Sequence, residues 1–96
     1  MAPDPKPKAF RSEKYLKFIR SKMCVSCGSP DSIAHHEPFG NQGMATKAPD
    51  SYTISLCNSC HALRHHLGFI RFWGDRSICP EMEIIQLLTE YLKELK

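Results

Sequence analysis

The chain has 96 residues, a formal charge of +3, 42% hydrophobic and 24% charged residues, seven prolines and five cysteines, which is the size and composition of one small domain. It has no run of about 18 apolar residues, and residues 1–6 lack the hydrophobic stretch of a secretory signal, so membrane insertion and export are disfavoured and a cytoplasmic setting is expected. Seven Lys/Arg against Asp4 and Glu13 give residues 1–22 a net charge of +5, whereas residues 23–96 carry −2. That basic end suits either a polyanion partner or a solvated tail and helix face.

Residues 1–11, basic and rich in proline, read as a flexible tail ahead of a single domain over 12–96. Between 12 and 23 the apolar residues Tyr15, Leu16, Phe18, Ile19 and Met23 recur at helical spacing, with Lys14, Lys17 and Arg20 off the stripe. A turn over 24–30, marked by Gly28, Ser29 and Pro30, precedes a short strand over 32–35. Residues 37–51 are loop, and 52–56 alternates β-branched or aromatic residues with polar ones, predicting a second strand antiparallel to the first. Asn58 or Ser59 can cap a helix that runs to about Leu67 and ends at a left-handed Gly68. The aromatic stretch 69–74 is expected to be a connection packed as core, with a turn at Gly74-Asp75. A last helix spans about 80–95. Pro80 suits its first position, Glu81 and Glu83 its N-terminal dipole, Lys93 and Lys96 its C-terminal end, and Ile84, Leu87, Leu88, Tyr91, Leu92 and Leu95 its apolar face. The fold class is α+β.

A domain this small often needs a covalent or metal staple. Cys24 and Cys27 form one CxxC pair, Cys57 and Cys60 a second, and the spacing lets each turn present two thiolates to one tetrahedral ion. Disulfides are the other use of such pairs. Without an export signal, structural zinc is the favoured reading, and four thiolates would leave that ion no open position. A redox role for the CxxC thiols suits the sequence less well, because two pairs accompany clustered histidines. Cys79 stands apart as a helix-start or core residue.

The five histidines lie at 35, 36, 61, 65 and 66. His61 and His65 are one helical turn apart and can share one metal, whereas His66 points elsewhere and reads as a surface residue. If the four cysteines share an ion, the turn before the first strand is tied to the start of the helix, which brings His35 and His36 near His61.

The order CxxC, His35-His36, a Gly-containing loop, then Leu56-Cys57-Asn58-Ser59-Cys60-His61 and His65 resembles the HNH endonucleases with a four-cysteine zinc. The likeness covers about 22–67. It implies a ββα-metal core, a two-stranded antiparallel hairpin plus helix, here flanked by an N-terminal and a long C-terminal helix. It further implies His36 as the general base that activates water, His35 and His61 as ligands of a catalytic divalent cation, and His65 as a further ligand. The family cation is Mg2+ or Mn2+, while imidazoles also suit Zn2+ or Ni2+.

One position departs from the family pattern. The asparagine that usually lies nine residues before the helix histidine, where it orients the base, is Tyr52 here. A base held by the Tyr52 hydroxyl or by a backbone carbonyl are the alternatives. The implied activity is hydrolysis of DNA phosphodiesters, with DNA as the partner and no small-molecule substrate. Lys14, Lys17, Arg20, Lys47, Arg64 and Arg71 are candidate phosphate contacts. The alternative function is a non-catalytic zinc-binding module that docks nucleic acid or protein.

Overall fold

The computed structural model describes residues 10–38 and 48–95. Ser12 opens helix α1 (Glu13–Arg20) by accepting a hydrogen bond from the Tyr15 backbone N–H at 3.1 Å, and Tyr15, Phe18 and Ile19 are buried beneath it. The helix stops three residues short of the expected Met23. The Ser21 hydroxyl donates back to the Phe18 carbonyl at 2.6 Å, and the chain turns away so that Met23 lies exposed. Within the following turn Cys24 N–H reaches the Ser29 carbonyl and Gly28 N–H the Cys24 carbonyl, both at 2.8 Å. Gly28 sits at φ +81°, a conformation costly for other residues.

Strand β1 (Ile33–His36) pairs antiparallel with β2 (Thr53–Leu56), in the register Ile33 with Leu56, Ala34 with Ser55, His35 with Ile54 and His36 with Thr53. A single 3-10 turn (Asp50–Tyr52) leads into β2. All four residues of β2 are buried, which its alternating apolar and polar pattern does not suggest. The polar pair is satisfied inside: Thr53 donates to the Asp50 carbonyl at 2.7 Å and Ser55 to the Met23 carbonyl at 2.8 Å.

Helix α2 (Asn58–Leu67) follows β2 immediately, and Cys57 rather than Asn58 or Ser59 is its N-cap, with the thiol accepting from Cys60 N–H. Gly68, at φ +86°, ends it and joins it to α3 (Phe69–Arg76). That third helix corrects the expected aromatic connection with a turn at Gly74-Asp75. Phe69, Phe72, Trp73 and Arg76 have the spacing of one helical face, and burial of Phe72 and Trp73 outweighs the roughly 1 kcal/mol that a mid-helix glycine costs. Helix α4 (Pro80–Glu94) begins with Cys79 as N-cap and Pro80 in its first turn, as the sequence predicts. Leu92 and Leu95, expected on its buried face, are exposed because the layer beneath the helix ends near Tyr91.

Two apolar clusters result. Ile54 and Leu56 gather Cys24, Cys57, Cys60, Phe72, Trp73 and Ile84 in one. Tyr15, Phe18, Ile19 and Leu87 form the other, with Tyr91 edge-on to Tyr15 at 4.9 Å. Leu88 touches both, so α4 bridges them. Among the described residues no helix is long and apolar enough to cross a membrane.

The Tyr15 hydroxyl is buried with no hydrogen-bond partner among the described residues, and burial, reinforced by Tyr91, pushes its phenol up to about 12. An unpaired buried hydroxyl carries a desolvation cost of about 1–3 kcal/mol. Tyr15→Phe is therefore expected to raise stability by about 1 kcal/mol in denaturant titrations of the metal-loaded protein. A loss of that size would reveal a hydrogen bond to the hydroxyl.

Candidate functional site

The turn after α1 supplies Cys24 and Cys27, and the junction of β2 with α2 supplies Cys57 and Cys60. All four are free thiols whose Sγ atoms lie within 4.8 Å of one another, with Cys27 and Cys57 at 3.6 Å. Disulfide sulfurs would be about 2.05 Å apart. Tetrahedral coordination at a Zn–S distance of about 2.3 Å places sulfurs roughly 3.8 Å apart, so this group can hold one metal ion and its donor set suits zinc. Burial, together with the neighbouring thiols, pushes Cys60 up to about 12, against a hydrogen bond from Ser26. Burial at Cys24 is outweighed by hydrogen bonds from the turn backbone and Cys27, which bring it down to about 7, so the cluster mixes a readily ionised thiol with one whose proton a divalent cation would displace.

One helical turn beyond Cys57, the same helix presents His61 and His65, and β1 brings His35 against them. His35 Nδ1 lies 3.2 Å from His61 Nδ1, and His61 Nε2 lies 3.0 Å from His65 Nε2. The three rings offer ligand atoms within 4.8 Å of one another and form a second group able to hold a metal. His35 is buried, His61 half-buried and His65 exposed, so the cluster opens to solvent on one side. Burial holds His61 below its ordinary pKa and the charges of His35, His65 and Arg64 act in the same direction, which favours a neutral imidazole with a lone pair to give.

Strand alternation sends His36 to the opposite face from His35. There its Nε2 lies 2.8 Å from Asp50 Oδ1. Asp50 also accepts from the Ser12 backbone N–H at 2.7 Å and from Arg11 at 3.3 Å. Burial would raise its pKa, but His36, Ser12 and Arg11 hold it below the ordinary range, so it stays ionised. It is the Asp50 carboxylate, two residues before Tyr52, that meets His36. Arg11, which the sequence places in a flexible tail, is instead anchored here and also donates to the Ala48 carbonyl at 2.5 Å.

Glu37 lies two residues beyond His35, just past the end of β1, where the sequence predicts the start of a loop. It is completely buried. Its Oε2 lies 3.0 Å from His35 Nε2, 3.1 Å from Arg64 Nε and 2.9 Å from Trp73 Nε1, while its Oε1 takes a second Arg64 N–H. Burial would push the carboxyl up, and hydrogen bonds from His35, Arg64 and Trp73 overcome it, bringing the group down to about 2. Arg64 is accordingly a correction. Expected to reach phosphates, it is 8% exposed and neutralises Glu37 inside the domain.

Of the other phosphate candidates, Lys14, Lys17 and Arg20 are exposed on α1, with Arg20 pairing Glu13 at 2.5 Å. Arg71 is exposed on α3, 3.9 Å from Asp75. Lys47 and residues 1–9 of the basic tail lie outside the described residues. His66 is exposed, and Cys79 is exposed beside Glu81.

Residues 2–74 match the DUF968 family, described as a protein of unknown function, and the chain belongs to that family. The matched stretch contains both ligand clusters, Glu37, Asp50, Arg64 and Trp73. The chain is also similar to the uncharacterized protein YdfU of Escherichia coli strain K12, with 36% identity over 62 residues. That alignment spans 64% of this chain and 18% of YdfU. No solved structure matches the chain.

Zinc bound by the four cysteines is expected to hold the two halves of the domain together. Cys27→Ser or Cys57→Ser should unfold most of the chain, since structural zinc contributes up to about 10–16 kcal/mol in small zinc peptides. Cys79→Ser should change stability by no more than about 0.5 kcal/mol. Circular dichroism and metal analysis of the three variants check this, and native melting in the first two would contradict it.

Proposed function

We propose that this member of the DUF968 family is a metal-dependent DNA endonuclease of the HNH type, with β1, β2 and α2 as its ββα-metal core. The observation that carries the reading is the division of labour at the end of β1. His36 is held by an ionised carboxylate on one face, while the adjacent His35 joins His61 and His65 in a three-imidazole group on the other. A zinc ribbon has no need of either arrangement.

The His36 ring donates its Nε2–H to Asp50, which leaves Nδ1 as the basic nitrogen. His36 is 19% exposed, enough for water to reach it. In the proposed reaction Nδ1 takes a proton from a water molecule as its oxygen attacks phosphorus, and the bond to the leaving sugar oxygen breaks. Asp50 keeps the ring oriented and stabilises the imidazolium that forms, the role usually served by the asparagine that this chain replaces with Tyr52. A divalent cation, Mg2+ or Mn2+ by the resemblance and Zn2+ or Ni2+ by the donor chemistry, would be held by His35, His61 and His65 and would offset negative charge on the phosphate and leaving oxygen. Lys14, Lys17, Arg20 and Arg71 supply exposed cations for backbone phosphates. A reducing, cytoplasmic setting would keep the four thiols available for zinc.

Conversion of supercoiled plasmid in magnesium or manganese, with a chelator control, tests the reading. The wild-type protein should nick. His36→Ala should keep its fold and both metals yet nick about 10²–10⁴-fold more slowly, and added metal should not rescue it. His35→Ala and His61→Ala should lose affinity for the second cation and recover partly at high metal. Wild-type protein that binds DNA without cutting it in any divalent metal would favour the non-catalytic adaptor, and His36→Ala nicking at the wild-type rate would remove His36 as the base.

A further inference from the structure

Glu37 makes more contacts than an ion pair requires. Arg64 alone meets both carboxylate oxygens, one with Nε and one with a terminal nitrogen, and that two-point pairing already neutralises the buried charge. Trp73 Nε1 adds a third donor at 2.9 Å. The fourth, His35 Nε2 at 3.0 Å, connects the same carboxylate to the three-imidazole group.

An ionised carboxylate can only accept, so the His35 nitrogen facing it must carry the hydrogen. In a neutral ring the other nitrogen, Nδ1, is then bare. This is the atom 3.2 Å from His61 Nδ1, on the side where the three imidazoles converge. Among the described residues no carboxylate contacts His61 or His65, so the influence falls on the most buried member of the group.

We propose that Glu37 is a positioning residue for the histidine cluster, fixing His35 as its Nε2–H tautomer so that Nδ1 faces the bound cation, with Arg64 and Trp73 holding the carboxylate in place. The assignment rests on the cation-binding reading of His35, His61 and His65 above. Carboxylates that accept from the far nitrogen of a ligating histidine fix its orientation and raise its basicity, and their loss commonly weakens metal binding about 10–100-fold. Two helices serve this single carboxylate, since Arg64 comes from α2 and Trp73 from α3. The chain beyond the cluster is therefore part of the metal site's support.

Calorimetric titration of cobalt(II) into protein carrying a single equivalent of zinc, taken up by the four cysteines, reads the effect. Wild type should take up one cobalt. Glu37→Gln should bind it about 10–100-fold more weakly, and Glu37→Asp, which restores the charge on a shorter stem, should recover part of that loss. Ile84→Val thins the same apolar cluster without touching the carboxylate, so it should lower thermal stability while keeping cobalt affinity close to wild type. Equal cobalt affinity in wild type and Glu37→Gln would overturn the assignment, as would an equal loss in Ile84→Val, which would mark general loosening of the core.

Should Glu37→Gln fail to fold, nitrogen-15 NMR of histidine-labelled wild type decides the matter. The assignment requires a proton on His35 Nε2 and a shift of its Nδ1 signal when a diamagnetic ion fills the cluster. The opposite tautomer would overturn it. Wild type that takes up no cobalt would instead overturn the cation reading itself, and the assignment with it.

Discussion

Convergence of the four cysteines into one group able to hold a metal ion is the constraint from which the rest of the architecture follows. A two-stranded hairpin of four-residue strands is not stable alone, and its two partners in the chain, the turn after α1 and the start of α2, are separated by about thirty residues. Bringing Cys27 beside Cys57 fixes where β2 ends and where α2 begins. The Cys57 sulfur belongs to the cysteine cluster and also caps the helix, so the cluster and the first helical turn are set by the same atom. His61 follows one turn later. The histidine cluster therefore takes its position from the cysteine cluster through a rigid helix rather than through a loop.

Both faces of β1 carry a buried carboxylate opposite a histidine, and the two pairs are built differently. On one face Glu37 is sealed from solvent and held by donors from α2 and α3. On the other, Asp50 is held by the backbone at Ser12 and by Arg11, residues from the start of the chain. Burying an unpaired carboxylate would cost several kcal/mol, so each needs its donors in place before the hairpin is tolerable. The hairpin edge, the N-terminal segment and the two short helices are thereby coupled through charge as well as through apolar packing. The arrangement thus separates His36, paired with Asp50, from its chain neighbour His35, which joins a group able to hold a cation.

Much of this was legible in the sequence because it depends on local pattern. CxxC spacing, the helical period of α1 and α4, Pro80 at a helix start and Gly68 at a helix end are decided within a few residues, and their physical causes are short-ranged. The missed features depend on partners far apart. Asp50 reaches His36 across a long connection, and no local pattern joins them. Arg64 looks like a surface cation until Glu37 is known to be buried beside it, and Glu37 beside Pro38 looks like the beginning of a loop. Its position two residues beyond His35, on the same face of a strand, was the available clue. Helix α3 was also visible in principle, since Phe69, Phe72, Trp73 and Arg76 have its period, but eight residues containing a glycine give a weak signal. Membership of the DUF968 family adds no activity to this picture, so the functional reading stands on the arrangement of side chains.

The whole account turns on there being two distinct ions per chain, one held by sulfur and one by imidazole. Anomalous diffraction from crystals of the zinc-loaded protein, measured on either side of the zinc absorption edge, tests this most directly. Two peaks are expected, one surrounded by the Sγ atoms of Cys24, Cys27, Cys57 and Cys60 and one among His35 Nδ1, His61 and His65, with Glu37 still accepting from His35 Nε2. A single peak at the cysteines, with the His35 and His61 rings hydrogen-bonded to each other, would contradict it.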